Sequence, residues 1–100
     1  METDVNVDGG KAVLVLKGKL TVQTSSELTA VVDRLPEQVC DIDVDLTDVI
    51  YIASAGLRVL VATDKLAAKR GGRVRLLHPR EAVLEVFEMT GLSDVFAIER

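Results

Sequence analysis

Ser54 is the side chain whose setting offers the most chemistry. It lies in Ile52-Ala53-Ser54-Ala55-Gly56-Leu57, where an apolar strand meets a helix through small residues. Unpaired N–H groups at a helix start attract an anion, and the helix dipole adds to that attraction. Small side chains also let another protein's backbone approach closely. Local features alone favour a simpler role, a plain N-cap that contributes ~1 kcal/mol.

No catalytic constellation accompanies this serine. His78, the one histidine, precedes Pro79 without a Cys, Ser or carboxylate at motif spacing, and reads as an exposed or loop-capping residue. Cys40, the one cysteine, reads as a buried small hydrophobe and excludes an intrachain disulfide. Asp41, Asp43 and Asp45 alternate with Cys40, Ile42, Val44 and Leu46, which reads as a strand with one solvated face rather than a metal site. Walker, GxGxxG, HExxH and CxxC patterns do not occur. The expectation is a binding protein that is not an enzyme and needs no cofactor or metal.

The elements that must position Ser54 follow from periodicity. Val5 and Val7 alternate with polar residues, Asp8-Gly9-Gly10 supplies a turn, and the apolar run to Lys17 completes a β-hairpin that Gly18 closes. Thr24 with Glu27 three residues on reads as a capping box, followed by Leu28, Val31, Val32 and Leu35 at helical spacing, with Pro36 as the stop. Cys40–Leu46 is a strand, and Val49–Ile52 a short apolar approach to the next element. Good helix formers run from Ser54 to Arg70 and end at Gly71-Gly72. Arg73–Leu77 is a strand, Pro79 opens a helix, and Val95, Phe96 and Ile98 suit a last short strand. Strands alternating with helices predict an α/β fold, a mixed sheet of four or five strands with helices mainly on one face. Leu14, Leu16, Val44, Leu46, Leu60, Leu76 and Phe87 are the expected core.

Composition bounds the partners. The 100 residues suit one domain over 1–100, and 48% hydrophobic residues suffice for a core without disulfides or metal. Only 3% are aromatic, so Val, Leu, Ile and Ala must build it. The net charge of −4 argues against nucleic acid. No stretch approaches the ~20 apolar residues of a membrane span, and the acidic Met1-Glu2-Thr3-Asp4 start lacks the features of a secretory signal. A cytoplasmic protein that binds neither nucleic acid nor membrane is expected.

Several segments in fixed order resemble one family. Asp45–Leu57, with its apolar strand leading into Ala53-Ser54-Ala55-Gly56-Leu57, resembles the signature of STAS domains, and in particular the bacterial anti-sigma factor antagonists. Gly18-Lys19-Leu20-Thr21 resembles the family's Gly-Glu-Leu-Asp turn, with Thr24 at its helix start. Thr90-Gly91-Leu92 resembles its closing Thr-Gly-Leu motif. The resemblance spans nearly the whole chain and implies the STAS fold.

It also implies a role. In the family the serine matched by Ser54 is phosphorylated by a serine kinase that is itself the anti-sigma factor. The unphosphorylated antagonist binds that kinase and frees the sigma factor, and a serine phosphatase restores binding after phosphorylation. Carried over, this makes Ser54 the phosphorylation site and Thr21, Thr24, Ala53, Ser54, Ala55, Gly56, Leu57 and Arg58 the partner-binding patch. Two positions depart from the family pattern: Ala53 and Thr21 stand where it has acidic residues. The alternative is a constitutive STAS adaptor or accessory subunit, for instance of a lipid-transport ABC system, that needs no phosphorylation.

Overall fold

The computed structural model describes residues 1–100. The Asp8-Gly9-Gly10 turn joins β1 (Glu2–Asp8) to β2 (Lys11–Leu20), which pair antiparallel from Asp8↔Lys11 to Glu2↔Lys17. The chain continues through α1 (Val22–Asp33), β3 (Asp41–Ile52), α2 (Ser54–Lys69), β4 (Val74–Leu77), α3 (Glu81–Met89), a short 3-10 turn at Leu92–Asp94 and β5 (Ala97–Glu99). The five strands lie in the order β1-β2-β3-β4-β5, and every pair after the first is parallel.

This order fixes where the helices go. Each parallel step is bridged by one helix and moves one place in the same direction across the sheet. Right-handed crossovers then place all three helices on one face. The residues on that face are apolar and buried: Ala12, Leu14 and Leu16 of β2, Ile42, Val44 and Leu46 of β3, Val74 and Leu76 of β4. Leu28 and Val32 of α1, Leu57 and Leu60 of α2, and Val83 and Phe87 of α3 complete a single cluster with them. All seven residues expected in the core are buried. Phe87 meets Phe96 edge to face, with ring centroids 5.9 Å apart, and so ties the C-terminal segment to α3. No helix is long and apolar enough to cross a membrane.

Several boundaries differ from the sequence reading. Gly18 does not close β2; the strand continues to Leu20 through two shifts of register against β3. The helix start lies two residues before Thr24. Thr21 is the N-cap, its hydroxyl accepting from the Thr24 N–H, while the Thr24 hydroxyl accepts from the Thr21 N–H at 2.7 Å. The capping box is therefore Thr21 with Thr24, and Glu27 has no part in it. Val49–Ile52 is the second half of β3, which runs unbroken to Ile52. Pro79 precedes α3 by two residues, and Arg80 occupies its N-cap. Cys40 is half-buried rather than buried.

The largest correction concerns Asp43. It lies on the sheet face away from the helices, as alternation requires, yet its side chain is only 6% exposed. The long side chains of Arg75 and Lys11 cover it and pair with it. The wet face of β3 is thus solvated at Asp41 and closed by ion pairs at Asp43. One glycine is also essential here. A Cβ on Gly72 would lie 1.9 Å from the Cys40 carbonyl oxygen, so only glycine lets the α2–β4 connection cross the start of β3.

Candidate functional site

The parallel strands β2 and β3 end side by side, and both helices that follow them start there. Leu20 and Ile52 are register partners, and the Ala53 N–H donates to the Leu20 carbonyl at 2.8 Å. Thr21 begins α1 and Ala53 begins α2 at this common edge. Ligand sites of open parallel sheets collect at such carboxyl ends of strands.

The start of α2 is shaped by what its residues lack. Ala53, not Ser54, holds the N-cap position (φ −92°, ψ 167°), and no side chain caps the helix. Ser54 is the first helical residue and is exposed. The Leu57 N–H is bonded to the Ala53 carbonyl at 3.1 Å, so the amides of Ser54, Ala55 and Gly56 precede the helical ladder. No acidic residue stands in the first turn of α1 or α2. Gly56 is buried against the strand ends: a Cβ there would lie 2.7 Å from Leu20 Cγ and 3.1 Å from Ile52 Cγ1. Its missing side chain lets α2 sit directly on the sheet.

The eight residues expected in the patch therefore divide. Ser54 and Arg58 are exposed on α2, and Ala55 is half-buried beside them. Thr21 and Ala53 line an open groove of about 560 Å³. Gly56 and Leu57 face inward and support the surface from behind. Thr24 spends its hydroxyl internally, donating to the Lys19 carbonyl at 2.7 Å and accepting from Thr21.

The groove also contains residues that the sequence reading passed over: Val22, Gln23 and Tyr51. Val22 is 73% exposed and Tyr51 53% exposed, and Ile50 is half-exposed nearby in the chain. A signal was available. Val49-Ile50-Tyr51-Ile52 is four apolar residues in a row, and a strand with one buried face has room for only half of them inside. Val49 and Ile52 take the core, leaving Ile50 and Tyr51 outside.

The remaining polar groups near this edge are structural. Asp45 accepts from the Thr47 hydroxyl at 2.6 Å and the Thr47 N–H at 2.9 Å, and the hydroxyl bond above all holds its carboxyl below the usual range. Arg80 donates to the Thr47 carbonyl at 2.8 Å and faces Asp48 at 3.7 Å, fixing α3 beside β3. His78 is exposed in the β4–α3 loop with φ 54°, its N–H donating to the Glu99 carbonyl. Nothing in this arrangement places a nucleophile against a base. It presents a shallow, partly apolar surface around an exposed hydroxyl.

Comparison with known proteins agrees with this geometry. A family model described as "Mlab, STAS domain" matches residues 3–98. The anti-sigma-B factor antagonist of Bacillus subtilis is 33% identical over 97 residues, covering 97% of this chain and 83% of that protein. A crystal structure of a Thermotoga maritima protein superposes with a TM-score of 0.88 at 24% identity, covering 98% of this chain and 86% of the other. The anti-sigma factor antagonist SpoIIAA, in its unphosphorylated form, superposes with a TM-score of 0.77 at 20% identity over 99% of this chain and 89% of its own. At these identities the two structures speak for the fold. Sequence and fold together show that the chain belongs to the STAS domain family and is a relative of the anti-sigma factor antagonists.

Proposed function

We propose that this chain is an anti-sigma factor antagonist that docks on a serine kinase acting as its anti-sigma factor, and that phosphorylation of Ser54 ends the docking. The observation that carries this reading is the placement of Ser54. It is exposed on the first turn of α2, next in sequence to Ala53 at the rim of the groove containing Val22 and Tyr51. A phosphoryl group there adds a charge of about −1.5 to −2 and a tetrahedral bulk to a contact built for small side chains. The domain tolerates that charge, because the free amides and dipole of α2 favour an anion. A partner pressed against Ala55 loses its fit. A serine phosphatase then reverses the switch, and the pathway runs in the cytoplasm. The reading draws support from the Bacillus subtilis relative and from SpoIIAA, whose structure is known in a phosphorylated as well as an unphosphorylated form.

A second reading is a constitutive STAS adaptor or accessory subunit, for instance of a lipid-transport ABC system, that needs no phosphorylation. Ala53, in place of a family acid beside the serine, agrees with it. One experiment separates the two. The purified protein is incubated with ATP and the anti-sigma-type kinase from the same genome, and examined by peptide mass spectrometry. A gain of about 80 Da on Ser54 supports the switch. No gain, with a kinase that phosphorylates another substrate, favours the adaptor.

A further inference from the structure

A second groove, of about 280 Å³, runs along the outer side of α2 against the Leu92–Asp94 turn. Val61, Ala62 and Leu92 form its apolar part over the largely buried Leu57, and the exposed cations Arg58 and Lys65 flank it. No carboxylate lines it, although the chain as a whole carries a net charge of −4. Neither cation belongs to any of the ion pairs of the structure, which use Lys11, Arg75 and Arg80. Arg58 and Lys65 are two turns apart on one side of α2, roughly 10 Å along its axis. That spacing suits a helical partner segment with an apolar stripe and acidic residues on either side of it.

Arg58 has a second relationship. It lies four residues after Ser54 on the same helix, so the two side chains are surface neighbours across one turn. A phosphate on Ser54 is within reach of the Arg58 guanidinium, whose fork matches phosphate oxygens. We propose that this groove receives an acidic, apolar-anchored segment of the protein partner, and that Arg58 relays the Ser54 phosphate to it. Without phosphate, Arg58 is free for a partner carboxylate. With phosphate, Arg58 is paired within its own helix, and the groove gains negative charge against an acidic segment. The relay deepens the function proposed above and rests on it; the acidic character of the occupant stands on the groove alone.

The test uses the intact chain and defined probes. One is a synthetic amphipathic peptide with leucines at helical spacing and glutamates between them; the other has lysines in place of the glutamates. Amide chemical shifts are followed by NMR. The glutamate peptide is expected to perturb Leu57, Val61 and Leu92 and to weaken with added salt, and the lysine peptide is not. Arg58→Glu with Lys65→Glu should reduce affinity for the glutamate peptide roughly tenfold with unchanged circular dichroism. Ser54→Glu should weaken binding in the wild-type background but much less in Arg58→Ala. Perturbation elsewhere, or equal binding of both peptides, overturns the groove assignment. A Ser54→Glu effect undiminished in Arg58→Ala overturns the relay. Neither peptide measurement involves a kinase, so failure of Ser54 to be phosphorylated in the cell would remove the proposed switch and leave the groove standing.

Discussion

Arg75 holds Asp43 through both arms of its guanidinium: Nε lies 2.9 Å from Oδ1 and Nη2 lies 2.8 Å from Oδ2. Lys11 Nζ reaches the same Oδ2 at 3.0 Å, and Arg75 extends to Glu99 at 3.5 Å. One covered carboxylate thereby connects β2, β3, β4 and β5 on the face the helices leave open. The Arg75 hydrogen bonds hold the Asp43 carboxyl below its usual range, with burial opposing and Lys11 assisting.

The sign of the pH dependence follows. A carboxyl with a depressed folded-state pKa stabilises the fold fully above its unfolded value, near ~4, and loses that contribution as pH falls through the folded value. Asp43→Asn should cost about 1–3 kcal/mol at neutral pH, because Arg75 and Lys11 keep their charges without a counter-charge. The difference between variant and wild type should shrink in strongly acidic buffer, where Asp43 is protonated too. Urea unfolding at neutral and acidic pH measures both, and a gap that stays constant with pH would remove the ion pair from the explanation.

The two helix starts at the site make opposite predictions. Thr21 already caps α1, so Thr21→Ala should cost about 1 kcal/mol. Ala53 has cap geometry but no capping side chain, so Ala53→Asp should stabilise the domain by roughly 0.5–2 kcal/mol. The thermal midpoint should fall in the first variant and rise in the second. An unchanged midpoint in Ala53→Asp would mean that another group already satisfies the α2 amides.

How much of this the sequence revealed depended on whether local pattern or tertiary contact decided the outcome. Leu14, Leu46 and Phe87 were legible as core because their periodicity matches the element each sits in. Asp43 was not, because alternation gives the face of a side chain and says nothing of a cation 32 residues away arching over it. Ser54 was legible as the start of a helix, while its neighbours were misjudged by one step: the cap fell on Ala53, and Gly56 and Leu57 turned inward against Leu20 and the core. Val22 and Tyr51, the exposed apolar residues of the groove, were not legible as surface, because apolar residues are by rule expected in the interior. That rule runs one way only, since apolar side chains also remain outside.

Gly56 tests the packing beneath the site. Gly56→Ala places a methyl within 2.7 Å of Leu20 Cγ and 2.8 Å of its Cδ2, so the helix start must lift or Leu20 must change rotamer. Overpacking of this kind costs typically about 1–3 kcal/mol, more than the alanine's helix propensity returns. Guanidinium unfolding should show the loss, and partner binding should weaken as well, since Ser54 and Ala55 ride on the same turn. A stabilised Gly56→Ala variant would show that the glycine is there for some reason other than close approach.

Ser54 itself carries the last prediction. As the first helical residue it does not cap α2, so Ser54→Ala should change stability by less than about 0.5 kcal/mol, as expected of an exposed substitution away from a cap. Ser54→Asp should fold as well or slightly better, because a carboxylate in the first turn meets the positive end of the dipole where no acid now stands. The two variants should part company on binding. Ser54→Ala keeps a small, neutral surface beside Ala53 and Ala55 and should bind the anti-sigma factor with near wild-type affinity while resisting phosphorylation. Ser54→Asp places a charge at the contact and should bind at least roughly tenfold more weakly, a loss of about 1.4 kcal/mol. Calorimetric titration of the anti-sigma factor with each variant, alongside thermal melts, reads both halves. Equal affinities for the two, with both folded, would mean that the partner does not press on Ser54 and that the docking surface lies elsewhere on the domain.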